Sequence, residues 1–457
     1  MNNKILLLML FLMVIATNAL SQNTIYGTIT GEVHADISVE LYRTSCSVEE
    51  LVDTFTTNSE GYYEFEDLSN GYYRVVPKNP SNIFNPRFDS VEIPQTIIQP
   101  CNFTSTSIPI AKSFVVAASD SSDALKIQAD YVCDGTADNV EIQAAIDALA
   151  VSGGEVKLLT GTYTVEAGIV ISEDNITLSG YGDGTYVTAS GAMVSITHQI
   201  YVTGNHVTIK NFHLNGARGV VKYQIVFIEN QYSMVENMTI GSSGTDGIVF
   251  GPNTKDGIAN NNYLYDHNNP LILQDNTSSF EVEDGAERIT ITNNTVYNSN
   301  SGFFPHTHLG YQPVKNIVFS NNRLIKGPNS HADLSGCGIF ICNDVLDAPL
   351  EGIVITNNII DGGRFITSGT MNLIAIGNII KNTASTSQPA VFFATGAEVI
   401  FTHNQIHNGG HSGIDIGAAN SIISKNQIYN NRLSGLKLGE TSDYSVITNN
   451  IIRNNGD

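Results

Sequence analysis

The sequence has few basic residues, few charges and few cysteines, and each shortage excludes a class of function. Only 22 Lys and Arg stand against 44 Asp and Glu, which gives a formal net charge of −22 at pH 7. So acidic a chain is a poor partner for nucleic acid or an anionic membrane surface. It also disfavours polyanionic sugars unless local cations or a metal ion neutralise them. Five cysteines do not make a disulfide framework, although export would permit Cys46 and Cys101 to pair.

Long apolar runs are missing after the first 21 residues. Residues 1–21 read as a signal peptide, with Lys4, the apolar run 5–16 and the small-x-small site Ala19-Leu20-Ser21. That run is too short to span a bilayer, and no later segment reaches the ~18 apolar residues of a membrane helix. We therefore expect an exported protein, secreted or at the cell surface, without membrane insertion.

An asparagine recurs ten times, each time after a short run of alternating apolar residues. The steps range from 20 residues (Asn358 to Asn378) to 36 residues (Asn322 to Asn358). A period of this size with strand-like runs and no helix indicates stacked units, a β-solenoid, in which the asparagines form a hydrogen-bonded ladder at a turn. The ten positions are Asn211, Asn237, Asn262, Asn294, Asn322, Asn358, Asn378, Asn404, Asn426 and Asn450.

Each coil carries a second strand led by glycine, such as Gly247-Ile248-Val249-Phe250 and Gly413-Ile414-Asp415-Ile416. Because strand side chains alternate, the residue two positions after each glycine points outward. We predict from this an outward column with exposed aromatic rings, which stack on sugar rings. Its members are Val249, Ile272, Phe304, Phe340, Ile366, Phe392, Asp415 and Lys437.

Residues 22–112 form a separate unit of period-two strands separated by turns, which predicts a small antiparallel β-sandwich. Its segments Gly61-Tyr62-Tyr63-Glu64-Phe65 and Gly71-Tyr72-Tyr73-Arg74-Val75 carry a resemblance to transthyretin-like and carboxypeptidase-regulatory-like modules. That resemblance implies a spacer or accessory module.

Residues 113–457 open with an expected helix that caps the solenoid. Asp138 reads as its N-cap and Glu141 completes a capping box, while Gly153-Gly154 stops it. The stretch 134–163 resembles the opening of pectin-lyase-like proteins. The resemblance implies an all-β fold, a right-handed parallel β-helix of about ten or more coils with an N-terminal capping helix.

The longest sequence separations between successive repeated asparagines lie between Asn262 and Asn358, so we expect the insertions in this segment to form loops on a binding face. We predict His306 or His308 as a general base for a sugar-ring proton, Tyr311 as proton donor, and Asp333 or Arg364 as an orienting group. Phe304, Phe340, Phe392 and Asp415 are the predicted substrate-binding residues. An alternative has His306 and His308 hold a metal with Asp333, but no metal site is assigned and the cofactor stays unknown.

Two short motifs resemble catalytic motifs of known β-helix enzymes. Gly302-Phe303-Phe304-Pro305-His306 is similar to the Gly-Phe-Asp-Pro-His motif of mannuronan C5-epimerases, with Phe304 in place of its Asp. Thr245-Asp246-Gly247-Ile248 resembles the Asn-Thr-Asp-Gly of polygalacturonases, without that family's second aspartate on a following strand at 270–273. The sequence therefore favours an extracellular polysaccharide as partner, for a lyase, epimerase or glycosidase. A non-catalytic adhesion protein with a rod-like binding surface is the alternative.

Overall fold

The computed structural model describes residues 23–31, 34–45, 48–79, 82–86, 88–93, 100–107, 112–149, 153–195, 198–217, 224–267, 277–328, 330, 336–343 and 350–456. The chain divides into two compact units between Ile110 and Ala111. The predicted signal peptide, Cys46, Ile272 and Asp333 lie outside the described residues. Within these residues no helix is both long and apolar enough to span a lipid bilayer.

The N-terminal unit consists of two four-stranded sheets around one apolar core that includes Ile29, Val39, Tyr63 and Phe103. The predicted small β-sandwich is confirmed, although one strand pair, Ile25–Gly31 with Phe103–Ser107, is parallel. The thiol of Cys101 is buried and free, and Cys46, which was suggested as its disulfide partner, lies outside the described residues. The first sheet contains Tyr62–Phe65, Ile25–Gly31, Phe103–Ser107 and Asn82–Asn85, and the second contains Val48–Thr56, Ser38–Ser45, Gly71–Lys78 and Asp89–Ile93.

The second unit is a parallel β-helix, as predicted. Each coil contributes one strand to each of three long sheets, and every strand pairs in parallel with its equivalent in the next coil. Sheet 1 contains Tyr131–Val132, Lys112–Ala117, Gly154–Leu158, Ile176–Ser179, Thr208–Lys210, Met234–Glu236, Ile258–Asn260, Thr290–Thr292, Val318–Ser320, Val354–Thr356, Ile374–Ile376, Ile400–Thr402, Ile422–Ser424 and Val446–Thr448.

Sheets 2 and 3 complete the coil. Sheet 2 contains Gly161–Val165, Thr185–Ala189, His213–Asn215, Thr239–Gly241, Tyr263–Tyr265, Thr295–Tyr297, Arg323–Ile325, Ile359–Asp361, Ile379–Lys381, Gln405–His407, Gln427–Tyr429 and Ile451–Arg453. Sheet 3 contains Ile169–Ile171, His198–Val202, Gln224–Ile228, Ile248–Phe250, Ser278–Glu283, Ser301–Thr307, Gly338–Asn343, Phe365–Thr367, Val391–Phe393, Ile414–Ile416 and Leu436–Leu438. A short fourth sheet contains Leu350–Glu351, Thr370–Met371 and Gly396–Ala397.

Apolar side chains that alternate along these strands fill the interior. The core runs without a break from Val116 to Ile428, and inside it the rings of Phe303 and Phe319 stack 4.3 Å apart. Burial of this kind is worth roughly 25 cal/mol per Å² of apolar surface, so a coil gains most of its stability from its neighbours.

The predicted helix is confirmed as Asn139–Asp147, and Ile142 and Ile146 join the β-helix core. The predicted capping box is wrong, because the Asp138 side chain makes no cap hydrogen bond. Its carboxylate instead accepts the backbone N–H groups of Gly135 at 2.8 Å and Thr164 at 2.7 Å, which ties the helix start to sheet 2. Among the residues that the structure describes, the other short helices are Asp123–Lys126 and the 3₁₀ turns Gly182–Gly184 and Gly191–Ser195.

The asparagine ladder is confirmed at the two-residue turn between sheets 1 and 2. Asn294 is typical: its Nδ2 donates to Ala259 O and to Asn322 Oδ1, both at 3.0 Å. Its backbone N–H also donates to Asn322 Oδ1, at 2.9 Å. Each amide thus satisfies turn backbone and the next rung together. The rungs are Asn262, Asn294, Asn322, Asn358, Asn378, Asn404, Asn426 and Asn450.

Two of the ten predicted rungs are wrong by one residue. Asn211 and Asn237 occupy the preceding turn position, with φ of 62° and 54°. The buried Met238 takes the rung position, and its N–H donates to Asn262 Oδ1 at 3.0 Å. Left-handed φ is unfavourable for most side chains but tolerated by asparagine, which explains a second run of asparagines beside the ladder.

Candidate functional site

Three successive strands of sheet 3 are unusually long. Ser278–Glu283, Ser301–Thr307 and Gly338–Asn343 have six, seven and six residues, whereas the other strands of this sheet have three to five. The sequence analysis expected loops from the insertions within 262–358, and this is wrong at 278–283 and 305–307, where the structure has strands. Glu281, Glu283 and His306 therefore sit on strands, which fixes their spacing better than a loop does.

Strand alternation and parallel register bring carboxylates and imidazoles together on the outer side of these strands. Glu281 and Glu283 pair with Phe304 and His306 of the next coil. We call the side chains of Asp246, Glu281, Glu283, Asp284, His306 and His308 the carboxylate–histidine cluster.

His306 lies in the middle of this cluster and is only 5% exposed. Its Nδ1 is 3.4 Å from Glu281 Oε1, and its Nε2 is 3.8 Å from Glu283 Oε2. The imidazole stacks on the Phe304 ring, with centroids 4.6 Å apart. The ring plane of His306 is therefore fixed by an aromatic neighbour while carboxylates flank both nitrogens.

His308 is the accessible histidine of the cluster, with half of its side chain exposed. Its Nδ1 is 2.9 Å from Asp284 Oδ2, and its backbone N–H donates to Asp284 Oδ1 at 2.8 Å. Its Nε2 is 3.2 Å from Nε2 of His306. The exposed Tyr311 ring lies 6.4 Å from the His308 ring, edge-on. The structure thus places three predicted catalytic residues, His306, His308 and Tyr311, side by side.

A second carboxyl pair lies beneath the histidines. Asp246 accepts the backbone N–H of Ser278 at 2.8 Å and shares a hydrogen bond with the Glu281 carboxyl, so one of the two acids is protonated. Burial raises the pKa of Asp246 to about 6. Burial first, and the Asp246 charge second, hold the pKa of Glu281 well above its usual range.

Glu283 is a carboxyl whose proton equilibrium falls near neutral pH. Burial is the main cause, and with the charge of Asp284 it raises the pKa of Glu283 to about 7, while His308 acts in the opposite sense. A carboxyl of this kind both accepts and donates a proton at neutral pH.

The outer column of sheet 3 differs from the prediction at one position. In parallel register it contains Glu281 between Val249 and Phe304, where the sequence analysis placed Ile272. Asp246 lies three residues before Val249 and is not part of this column. Its partner is Glu281, the second carboxylate that the sequence analysis considered absent.

Phe304 is not the exposed ring that the sequence analysis predicted, because it is only 3% exposed. It belongs to the outer side nonetheless, since Phe303 and not Phe304 is part of the interior core. Its ring stacks on that of Phe340 at 5.4 Å. Phe340 and Phe392 are half-buried and keep part of their surface in solvent.

A cleft of about 230 Å³ lies further along the same column. Phe392, Asp415 and Lys437 occupy successive coils in its wall, with Thr441 at its edge. Oδ1 of Asp415 is buried without a hydrogen-bond partner. Burial raises the pKa of Asp415, against the opposing effect of Lys437, His411 and Arg364. An aromatic face beside an unsatisfied acceptor is a typical lining of a ligand site.

Arg364 is buried and belongs to the region of this cleft, since its Nε donates to Pro389 O at 2.7 Å and its charge acts on Asp415. It directly precedes Phe365, which lies two coils beyond Phe303 of the His306 strand, so the structure separates Arg364 from His306 along the stack. The remaining predicted residue, Asp333, lies outside the described part of the chain.

Sequence reasoning missed Glu281, Glu283 and Asp284. A signal was present, because Phe280 and Val282 alternate with the two glutamates in the period of a strand. The competing apolar run at 270–273 obscured it. Within the described residues, Glu283, His306 and His308 also form one of two groups whose ligand atoms lie close enough to share a metal ion, the other being Cys133, Asp138 and Glu141.

Comparison with known proteins agrees with the fold. A family model described as a right handed beta helix region matches residues 338–457. No curated protein matches the chain. A variant of DFA-IIIase from Arthrobacter chlorophenolicus A6 is similar with a TM-score of 0.51 and 10% identity, over 75% of this chain and 99% of that one.

Two further solved structures are similar at comparable levels. The A-module of the mannuronan C-5 epimerase AlgE6 from Azotobacter vinelandii has 18% identity and a TM-score of 0.45, over 70% of this chain and 94% of that one. PfbA, a surface adhesin of Streptococcus pneumoniae, has 16% identity and a TM-score of 0.47, over 71% and 90%. At these identities the similarity shows the fold alone, and the right-handed parallel β-helix predicted from the sequence is confirmed.

Proposed function

We propose that the outer side of sheet 3 binds an extracellular polysaccharide and that the carboxylate–histidine cluster reacts with one of its sugars. The observation that carries the proposal is the common outer side: Glu281 of the cluster lies in the same column of outward side chains as Phe392 and Asp415, and Glu283 and His306 lie two residues further along their strands. From Phe304 to Phe392 the column advances three coils, or ~14 Å at ~4.8 Å per coil. A chain of several sugars bound along the column reaches both places.

The cleft supports the binding half of the proposal. The Phe392 ring offers a flat apolar face to a sugar ring, and Asp415 Oδ1 is an acceptor for a sugar hydroxyl. A bound hydroxyl would satisfy a buried oxygen that otherwise costs free energy, which favours a polar ligand at this point.

The cluster supports the reacting half. His308 and Tyr311 reach solvent, while Asp246, Glu281 and His306 are buried behind them, so a sugar approaches from the His308 side. Protonatable groups with raised pKa beside an accessible imidazole and a phenol suit proton transfer at a sugar carbon, the step shared by lyases and epimerases. Hydrolysis is less well supported, because it needs two carboxyls on opposite sides of a bond and Asp246 and Glu281 bond to each other.

The experiment measures binding and turnover separately on a panel of neutral and acidic polysaccharides. Products are followed as unsaturated ends, as new reducing ends and, by NMR, as inverted sugars. Phe392→Ala is expected to raise Kd about tenfold, the equivalent of ~1.4 kcal/mol. Tyr297→Ala, which removes an exposed ring from sheet 2, is the matched control and should leave Kd unchanged.

His308→Ala is expected to abolish turnover while the Kd for the polysaccharide stays within about threefold. Binding by the wild type without any product would instead indicate the non-catalytic adhesion protein of the sequence analysis. Equal losses of binding in Phe392→Ala and Tyr297→Ala would contradict a specific sugar-binding column.

A further inference from the structure

The two histidines of the cluster present the same ring nitrogen to one point in space. Nε2 of His306 and Nε2 of His308 lie 3.2 Å apart, and Oε2 of Glu283 lies 3.8 Å from the first of them. All three donor atoms lie within 4.8 Å of one another. We infer that Glu283, His306 and His308 form a binding site for a divalent transition-metal ion.

The distances fit such an ion. Ligand bonds of ~2.0–2.1 Å at tetrahedral angles separate the donor atoms of a zinc site by about 3.3 Å. The two imidazole nitrogens already meet that separation, and the Glu283 oxygen at 3.8 Å from His306 Nε2 needs to approach that nitrogen by about half an ångström. Rotation of a single carboxylate side chain supplies that movement.

The opposite nitrogen of each ring faces its own carboxylate. Nδ1 of His306 is 3.4 Å from Glu281, and Nδ1 of His308 is 2.9 Å from Asp284. A metal-bound histidine commonly donates its other N–H to a carboxylate, which fixes the tautomer and leaves the metal-facing nitrogen with a lone pair. The hydrogen bond with Asp284 thus prepares the imidazole of His308 for the ion, and Glu281 stands at ion-pair distance behind that of His306.

The backbone explains why these groups converge. His306 and Glu283 are direct partners in the parallel register of neighbouring coils. His308 follows His306 at the i+2 spacing that puts both side chains on one face of an extended chain, with the buried Thr307 turned the other way. Glu283 and His306 thus sit on strands, which hold ligands with little reorganisation, and His308 directly follows the strand that ends at Thr307.

The donor set indicates the kind of ion. Two imidazole nitrogens and one carboxylate oxygen suit Zn²⁺ and neighbouring transition metals, whereas Ca²⁺ and Mg²⁺ take oxygen ligands almost entirely. Three protein ligands leave one tetrahedral position for an outside oxygen. The carboxyl groups of Glu281, Glu283 and Asp284 also surround the imidazoles, and a bound cation would favour their charged forms.

The substrate class follows only if the proposed function holds. An acidic polysaccharide meets a chain of net charge −22, and a cation at the cluster supplies the positive charge that its carboxylate requires. With the ion bound, His306 and His308 act as ligands, so the free base predicted at these positions gives way to charge neutralisation, and Tyr311 remains as the accessible proton donor.

The test uses the full chain, freed of metal by a chelator and dialysed. We expect calorimetry to show that the protein binds one equivalent of Zn²⁺. We expect bound Co²⁺ to give the visible absorption of a tetrahedral site. Excess Mg²⁺ or Ca²⁺ should displace neither Zn²⁺ nor Co²⁺. His308→Ala should weaken Zn²⁺ binding at least 100-fold, and Glu283→Gln at least tenfold. Asp284→Asn, which removes only the group behind His308, should weaken it 10- to 100-fold.

His213→Ala is the matched control, because His213 pairs with Asp183 at 2.9 Å on sheet 2, away from the cluster. It should bind Zn²⁺ as the wild type does. Circular dichroism checks that each variant folds, and Glu283→Gln retains the shape of the site should His308→Ala not fold. Absence of stoichiometric Zn²⁺ binding, or equal binding by all variants, overturns the inference.

Polysaccharide assays with and without Zn²⁺ separate the two proposals. Zn²⁺ binding that depends on the three ligands, without any polysaccharide binding or turnover, supports the metal site and removes the proposed function. Turnover that survives chelation in a protein that binds no Zn²⁺ supports the proposed function and overturns the metal site.

Discussion

Replacing Asn358 by alanine measures how strongly the asparagine ladder holds the coils together. Asn358 is fully buried and takes part in four side-chain hydrogen bonds. Its Nδ2 donates to Phe319 O at 2.9 Å and to Asn378 Oδ1 at 3.0 Å. Its Oδ1 accepts the backbone N–H and the Nδ2 of Asn322 at 2.8 and 3.1 Å.

The expected loss follows from these bonds. A net contribution of ~1 kcal/mol each gives about 4 kcal/mol, and the range is about 3–5 kcal/mol because the abandoned partners lie where water cannot replace the amide. Asn450→Ala is the matched control. Asn450 is only part-buried, and it accepts from Asn426 and donates to Ile423 O. Water can reach its partners, so about 1 kcal/mol is expected.

The assay is urea unfolding followed by circular dichroism, with the two variants compared at equal m-value. A shift for Asn358→Ala at least twice that for Asn450→Ala supports the reasoning. A loss below about 1 kcal/mol at Asn358, or equal losses at both positions, would refute it and would mean that apolar packing alone holds the turns.

Three further predictions concern the core and the buried titratable groups. Burial lowers the pKa of His267 to about 3 from an ordinary 6.5. Between these pH values the unfolded chain binds a proton that the folded chain does not, so the free energy of unfolding falls as pH drops from about 6.5 towards 3. The variant His267→Asn should flatten this part of a stability–pH curve measured by urea unfolding. The raised pKa of Asp246 gives the opposite pH dependence, because the stability that Asp246 contributes is lost as pH rises from about 4 through 6. Asp246→Asn keeps an acceptor for Ser278 and is expected to be at least as stable as the wild type at pH 8 by thermal unfolding, whereas a lower Tm would contradict the assignment. Phe303→Ala removes a fully buried ring stacked on Phe319 and should cost about 3–5 kcal/mol in urea; a cost below 1 kcal/mol would contradict the packing.

The winding of the chain could be predicted from the sequence because it depends on period alone. Alternating apolar residues and a repeated turn residue specify which side chains face inward, whatever the length of each coil. The ladder was misplaced at Asn211 and Asn237 for a local reason. Both positions of the two-residue turn favour asparagine, one for its tolerance of left-handed φ and the other for its amide bonds.

The candidate site could be predicted only in part. His306, His308 and Tyr311 are close in sequence, so their proximity followed from the chain itself. Asp246 and Glu281 are far apart in sequence and meet only because one coil separates them, and the length of that coil was misjudged. Contacts of this kind depend on the register between coils, and a variable insertion hides that register from a reader of the sequence.

The constant rise per coil fixes the spacing between sites that lie on different coils of the β-helix. The distance between the carboxylate–histidine cluster and the Phe392 cleft can change only in whole steps of ~4.8 Å, because a coil is either present or absent. Deleting one complete coil between them would shorten that distance by the rise of one coil and leave the residues of both sites unchanged. Under the proposed function, a homologue with a different number of intervening coils would bind its polysaccharide a different number of sugars away from the sugar that reacts.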